Sequence, residues 1–490
     1  MTRTKHFIRP ARKQKGKAPV LETADDFQEA ADGEEGNLGK WRAGSAEKSG
    51  RACVRALEIY DRGLLKHPHS FDLAYNKARL EYEATQQPAL VAHIGLPLVD
   101  LLRQTLQSHR YALRLNEENA DVLFNTSQVL TSLAEQTSES DIEVEDLSTA
   151  IPLLHEALEM LSVCLSRQEM LLEQQQADFE DAEQGGVAHD PEETSGSRSE
   201  SQTVTIEAPT TAGDLLDTVH ASLSALTTLV SLVEPGALQT LGDMAHSLTE
   251  KKAPSYIEMS PPDAQEPARF TVALARATFV GAFADAQYNA YKIETETYLS
   301  RLDAFSIPDK EQDATALGAE AEARTEFTLS MLARFESSTD LPADVCWKQL
   351  ELAQDLYTQA TKLETSAKAY MSRADIEMLR HRVAIYPHAK LADSIRKSAP
   401  TLAQNAYTYY KGAARLASDE DAALKLKALQ RMYIVQHMRA LLYGVQPDDQ
   451  AIDITIIGRA QVESALVECV EEGLLETSLA DAIVGALSVT

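Results

Sequence analysis

Cysteine is scarce in this chain of 490 residues, and Cys53, Cys164, Cys346 and Cys469 form no Cys-x-x-Cys pair. Such wide spacing excludes a disulfide framework or a zinc knuckle and suits small core thiols in a reducing compartment. Aromatic residues make up 6% of the sequence and glycine fills 21 positions, a composition that fits close-packed helices better than a β-sandwich. Long apolar runs are missing too: no stretch of 18 apolar residues and no apolar leader core occurs. The expectation is therefore a soluble, intracellular protein with no membrane partner.

Signatures of chemistry are equally thin. A nucleotide site needs a glycine-rich turn whose backbone amides converge on phosphate, and neither Gly-x-Gly-x-x-Gly nor Gly-x4-Gly-Lys-Ser/Thr is found. His155-Glu156 could open a zinc-protease helix, but Glu159 stands where the second histidine belongs, and one imidazole builds no metal site. No serine lies in a Gly-x-Ser-x-Gly elbow, and no cysteine has a setting that would lower its pKa. Pairs of carboxylates are common because acids are common, so none singles itself out. The short run Arg380, His381, Arg382 is read as solvated helix surface. These absences lead to the expectation of a protein without catalytic activity, cofactor or metal.

What the chain has in excess is negative charge, a formal −29 at pH 7, unevenly placed. Residues 1–17 carry Arg3, Lys5, Arg9, Arg12, Lys13, Lys15 and Lys17 with no acid, so the remainder is more acidic than the total. An acidic body repels phosphate backbones, which argues against direct nucleic-acid contact, and attracts basic proteins. Arg9, Arg12, Lys13, Lys15 and Lys17 have the composition of a nuclear import signal that an import receptor could hold.

Four regions follow from composition and periodicity. Residues 1–50 mix basic and acidic stretches with glycines and read as a disordered arm. Helical periodicity covers 51–176, with turns at HPHS and NEEN. Over 177–208 acids from Asp178 to Glu200 accompany Gly, Ser and Pro, which suggests a flexible acidic insertion linking two halves. Helices resume over 209–490, with breaks expected at Pro308, Pro342, Pro387, Pro400 and Pro447 and a capping pair at the end. The fold class is all-α.

Three stretches share one spacing: Ala56, Tyr60, Gly63 and Leu64 before Pro68; Ala353, Tyr357 and Ala360; Ala406, Tyr410 and Ala413. Small residues let paired helices approach closely while the aromatic fills the next layer. With partial matches at Ala112, Leu113, Asn116 and Asp121, at Ala150, Ala157 and Leu158, and on first helices at Leu123, Ser127, Tyr370 and Ala374, the chain resembles the tetratricopeptide family of helical-hairpin solenoids. That resemblance implies a protein-binding scaffold. The carboxylate clamp of some family members is incomplete here: Asn76, Lys77 and Asn125 have no third inner helix to complete the set.

On this reading Tyr75, Arg79, Tyr82, Asn125, Tyr370 and Arg373, with Glu377 beside them, line a concave surface, and Asp178, Glu180, Asp181 and Glu183 extend it with charge. The layout is similar to that of acidic escorts of ribosomal proteins or histones, so the expected role is a non-catalytic assembly chaperone for a basic client in nucleus and cytoplasm. The alternative is a structural subunit of a large RNA-processing or ubiquitin-related complex.

Overall fold

The computed structural model describes residues 21–42, 44–139, 144–184, 209–335, 341–387, 390–418, 422–446 and 458–487. Among them every regular element is helical, as the composition suggests, and the chain divides into two units, Met1–Glu117 and Glu118–Thr490. The basic residues Arg9, Arg12, Lys13, Lys15 and Lys17 lie outside the described residues.

Unit 1 holds α1 (Ala24–Trp41), α2 (Ala46–Lys66), α3 (Phe71–Thr85), α4 (Pro88–Ile94) and α5 (Leu98–Leu115). The spaced small and aromatic residues of α2 are what its neighbours pack on: Ala56 and Tyr60 are buried with Phe27, Leu73 and Leu80. At Gly63 an added Cβ would sit 3.0 Å from both Leu73 and Phe27, so a larger residue would require those side chains to give way. Residues 24–41, expected within a disordered arm, are instead a capped helix. The Thr23 hydroxyl accepts from the Asp26 N–H at 3.1 Å, and the Asp26 carboxylate accepts from the Thr23 N–H at 2.9 Å. Only Phe27, Ala31 and Leu38 form its buried face, diluted by Gly33, Gly36 and Gly39. The helix is held by ion pairs of Glu34 with Arg55 at 2.7 Å and of Glu35 with Arg79, which no local window of sequence contains.

Unit 2 contains α6 (Ala120–Glu139), α7 (Val144–Gln184), α8 (Ala212–Leu232), α9 (Leu238–His246), α10 (Ala253–Met259), α11 (Pro262–Asn289), α12 (Thr295–Arg301), α13 (Ala314–Arg334), α14 (Ala343–Leu363), α15 (Ala367–Ile385), α16 (Asp393–Leu416), α17 (Ala422–Tyr443), α18 (Arg459–Glu471) and α19 (Thr477–Leu487). Neighbours in sequence pack on one another, most extensively α6 with α7, α13 with α14 and α15 with α16, the hairpin logic the spacing implies. One core joins Leu154, Leu165, Leu215, Val219 and Leu226, and another gathers Ala353, Ala406, Tyr410 and Ala413 with the last two helices.

Three expectations need correction. The helix α7 runs to Gln184, so the first part of 177–208 is helical. Since α7 and α8 share a core and Thr218 Oγ1 donates to Gln168 Oε1 at 2.8 Å, the residues between them do not divide two halves; the division falls between α5 and α6. Pro400 does not end a helix but lies inside α16, where burial of Ala399, Leu402 and Ala403 outweighs the one lost backbone bond.

Candidate functional site

A cavity of about 780 Å³ opens in unit 2 where one face each of α11, α13 and α15 meets the turn between α18 and α19. Helical spacing places Glu322, Glu326, Leu329 and Ser330 along α13, and Ser372, Asp375, Leu379 and Arg382 along α15, as two stripes facing the same space. Asp285 enters from α11, Tyr357 from α14, and Glu471 and Glu472 from the C-terminal turn. A second groove of about 310 Å³, walled by Gly318, Ala319, Ala360 and Ala369, shares Glu322, Tyr357 and Ser372 with it.

Six carboxylates thus face one cavity whose lining contains a single cationic residue, Arg382. That arginine is 9% exposed and its Nη1 donates to the Gly473 carbonyl at 2.6 Å, fastening α15 to the turn. Gly473 has φ +71°, so the turn favours glycine for its backbone, and a Cβ there would also have to displace the tip of Leu329, 2.8 Å away. Asp285 accepts from Ser330 Oγ at 2.5 Å, Tyr298 Oη at 3.0 Å and Asn289 Nδ2 at 2.9 Å; burial raises its pKa, and these bonds oppose the rise. Asp375 accepts from Tyr410 Oη at 2.5 Å and from Arg431 Nη1 at 2.6 Å; burial again raises its carboxyl while Arg431 opposes. Against the cost of burial, Arg431 and Lys427 hold Glu472 below the usual carboxylate range. Glu326 behaves differently. The residue is exposed, yet desolvation by its surroundings, followed by the charges of Asp285, Glu322 and Glu472, pushes its carboxyl up to about 7.

The residues expected to line a concave surface are not gathered at this cavity. In unit 1, Tyr75 stacks on Phe71 at 5.8 Å, Tyr82 meets His109 edge-on at 6.4 Å, and Arg79 pairs with Glu35 and, at 3.6 Å, with Glu83. Asn76 donates to Gln28 at 3.2 Å, while Lys77 lies between Asp61 at 2.7 Å and Glu81 at 3.6 Å. In unit 2, Asn125 is half-buried on α6. Tyr370 and Arg373 are packing residues between α15 and its neighbours: the Arg373 guanidinium lies 4.2 Å from the Tyr409 ring and donates to Tyr409, Thr358 and Thr361. Glu377 is buried and accepts from Gln354 at 3.0 Å and Arg380 at 3.1 Å. Asp178 is exposed on α7; Glu180, Asp181 and Glu183 continue that helix, their side chains outside the described residues.

The basic run on α15 is not the solvated surface expected of it. His381 is 1% exposed and bonds Tyr443 Oη at 2.6 Å, Arg380 covers the Trp347 ring at 4.7 Å, and Arg382 holds the turn. Sequence reasoning also passed over Asp285, Glu322, Glu326, Asp375, Glu471 and Glu472, dismissed among many carboxylates. Neither α13 nor α15 separates polar from apolar residues cleanly, so no stripe in the sequence marks these carboxylates.

No family model matches the chain. It is similar to the UPF0656 protein C926.02 of Schizosaccharomyces pombe (strain 972 / ATCC 24843), 35% identical over 151 residues. That match spans 31% of this chain and only 30% of the relative's own length. Among solved structures, it overlaps that of Nro1, titled the hypoxic regulator of sterol synthesis and a nuclear import adaptor, at 11% identity over 82% of this chain and 93% of that one. The TM-score of 0.29 is too low for that likeness to bear on function here.

Proposed function

We propose that this chain is a non-catalytic, protein-binding helical scaffold that holds or escorts a basic client of the ribosomal-protein or histone type, in nucleus and cytoplasm. The observation that carries this reading is the acidic cavity: six carboxylates converge from four separate segments on a space large enough for several side chains, with apolar Leu329, Leu379 and Leu474 between them. Ammonium or guanidinium groups enter such a space favourably, while the apolar wall accepts the methylene stems that carry them. Net charge of −29 adds long-range attraction for the same class of partner.

The test is complex formation by the full chain with purified ribosomal proteins and, separately, with core histones, using wild type and the exposed double variant Glu322→Lys, Glu471→Lys. A stoichiometric complex with one of these sets is expected at low salt, weakened about tenfold or more by the double variant and by raising salt from 50 to 200 mM. Absence of a complex with either set, or affinity indifferent to both changes, would remove the reading.

A further inference from the structure

The two tryptophans of the chain have opposite surroundings. Trp347 is buried in the unit 2 core and covered by Arg380. Trp41, the last residue of α1, is half-buried at the corner where the chain turns into α2. Two ammonium groups lie over its ring, Lys40 at 5.3 Å and Lys48 at 4.2 Å from the ring centre.

The acids nearest to this corner in α1 and α2, and Glu83 on α3, are already engaged by arginines. Glu34 pairs with Arg55, Glu35 with Arg79, Glu83 with Arg42, and Glu47 with Arg51 at 3.0 Å. Among the described residues no carboxylate pairs with Lys40 or Lys48, and the indole they share neutralises neither charge. Such a surplus of cations is unusual in a chain of net charge −29, and the distribution of charge explains where it can occur. Residues 118–490 carry 60 acids against 27 Lys and Arg, whereas residues 1–117 carry 15 acids against 19. The negative charge of the protein therefore belongs to unit 2, and unit 1 is free to meet a partner of the opposite kind.

A half-open indole flanked by cations is a combination that protein interfaces use as an anchor: the ring takes apolar surface while the cations take carboxylates. Arg42 and Arg51 stand behind the two lysines, with side chains 51% and 56% exposed, and their surface ion pairs exchange readily for carboxylates from outside. A nucleic acid would need a longer row of cations than these four, and the acidic remainder of the chain repels it.

We propose that the corner formed by Lys40, Trp41 and Lys48 docks an acidic peptide segment of a partner protein, with Asp or Glu on either side of an apolar residue. The carboxylates take the two ammonium groups, and the apolar side chain covers the Trp41 ring. This surface is separate from the cavity of unit 2 and does not depend on the reading given to it. With both in place, the two units take partners of opposite charge.

The experiment titrates the full chain with N-acetyl-Glu-Glu-Leu-Glu-Glu amide at pH 7 and 50 mM salt. Calorimetry gives the affinity, and indole emission gives the location. Saturable one-to-one binding with a change in emission is expected, and Trp41→Phe is expected to lose that change, since Trp347 is enclosed in the other unit. The double variant Lys40→Glu, Lys48→Glu is expected to bind about tenfold more weakly or worse. Arg103→Glu, Arg114→Glu, an equal change of charge on exposed residues of α5, is expected to bind as wild type does. Absence of peptide binding, binding without a change in Trp41 emission, or equal weakening in the two double variants would overturn the proposal. So would tighter binding of a ten-residue oligothymidylate with the same emission change, which would make the corner a nucleic-acid contact.

Discussion

Arg431 on α17 is the residue on which the C-terminal part of unit 2 converges. Its side chain is 3% exposed and bridges Asp375 on α15 at 2.6 Å to Glu472, with Glu468 at 3.6 Å, while Tyr410 on α16 bonds the same Asp375 oxygen. A buried cation of this kind contributes little net stability as a pair, but removing one partner leaves the other charge uncompensated. Arg431→Met is therefore expected to lower the unfolding free energy by about 3 to 5 kcal/mol, read from chemical denaturation, and to loosen the turn that carries Glu471 and Glu472. None of this could be read locally. A basic residue inside a helix looks the same in sequence whether it is solvated or locked, and Arg380, His381 and Arg382 were misjudged for that reason. Their partners Trp347, Tyr443 and Gly473 lie 33, 62 and 91 positions away.

At the scale of the element, the periodic helices were the legible part. The spaced small and aromatic residues at Ala56 to Gly63, Ala353 to Ala360 and Ala406 to Ala413 mark α2, α14 and α16, and all the alanines among them are buried. What escaped was α1, whose apolar face is sparse, limited to Phe27, Ala31 and Leu38 in the unit 1 core, and is supplemented by a cap and by ion pairs to other helices. Thr23→Ala removes the hydroxyl acceptor of the capping box and is expected to cost about 1 kcal/mol, seen as a lower denaturation midpoint and faster amide exchange over residues 24–28. An unchanged exchange rate there would mean that tertiary packing and ion pairs hold the helix without the cap. The candidate site was illegible for a related reason. Each of its stripes is a plain helix face on its own, and only the stacking of α11, α13 and α15 turns scattered acids into one enclosure.

At the scale of the whole molecule, each unit carries, among the described residues, one fully enclosed histidine, His109 on α5 in unit 1 and His381 on α15 in unit 2. Burial pushes both down to about 4, with the Ala78 carbonyl partly opposing the shift at His109. A histidine depressed in the folded state keeps its stabilising effect above its unfolded value near 6.5 and loses it as pH falls toward the folded value. Both units are expected to weaken below about pH 6.5, by up to about 1.4 kcal/mol per pH unit for each histidine, until roughly pH 4. Denaturation midpoints followed by circular dichroism from pH 7 to pH 5 would measure it, and a flat profile would show that the rings gain compensating partners. The closing of the cavity by residues 470–477 has a consequence for synthesis. Its first three walls leave the ribosome long before the fourth, so a nascent chain passes through a stage in which α11, α13 and α15 can be folded but the enclosure is still an open trough. On that side the cavity is walled only once residues 470–477 have folded against α13 and α15.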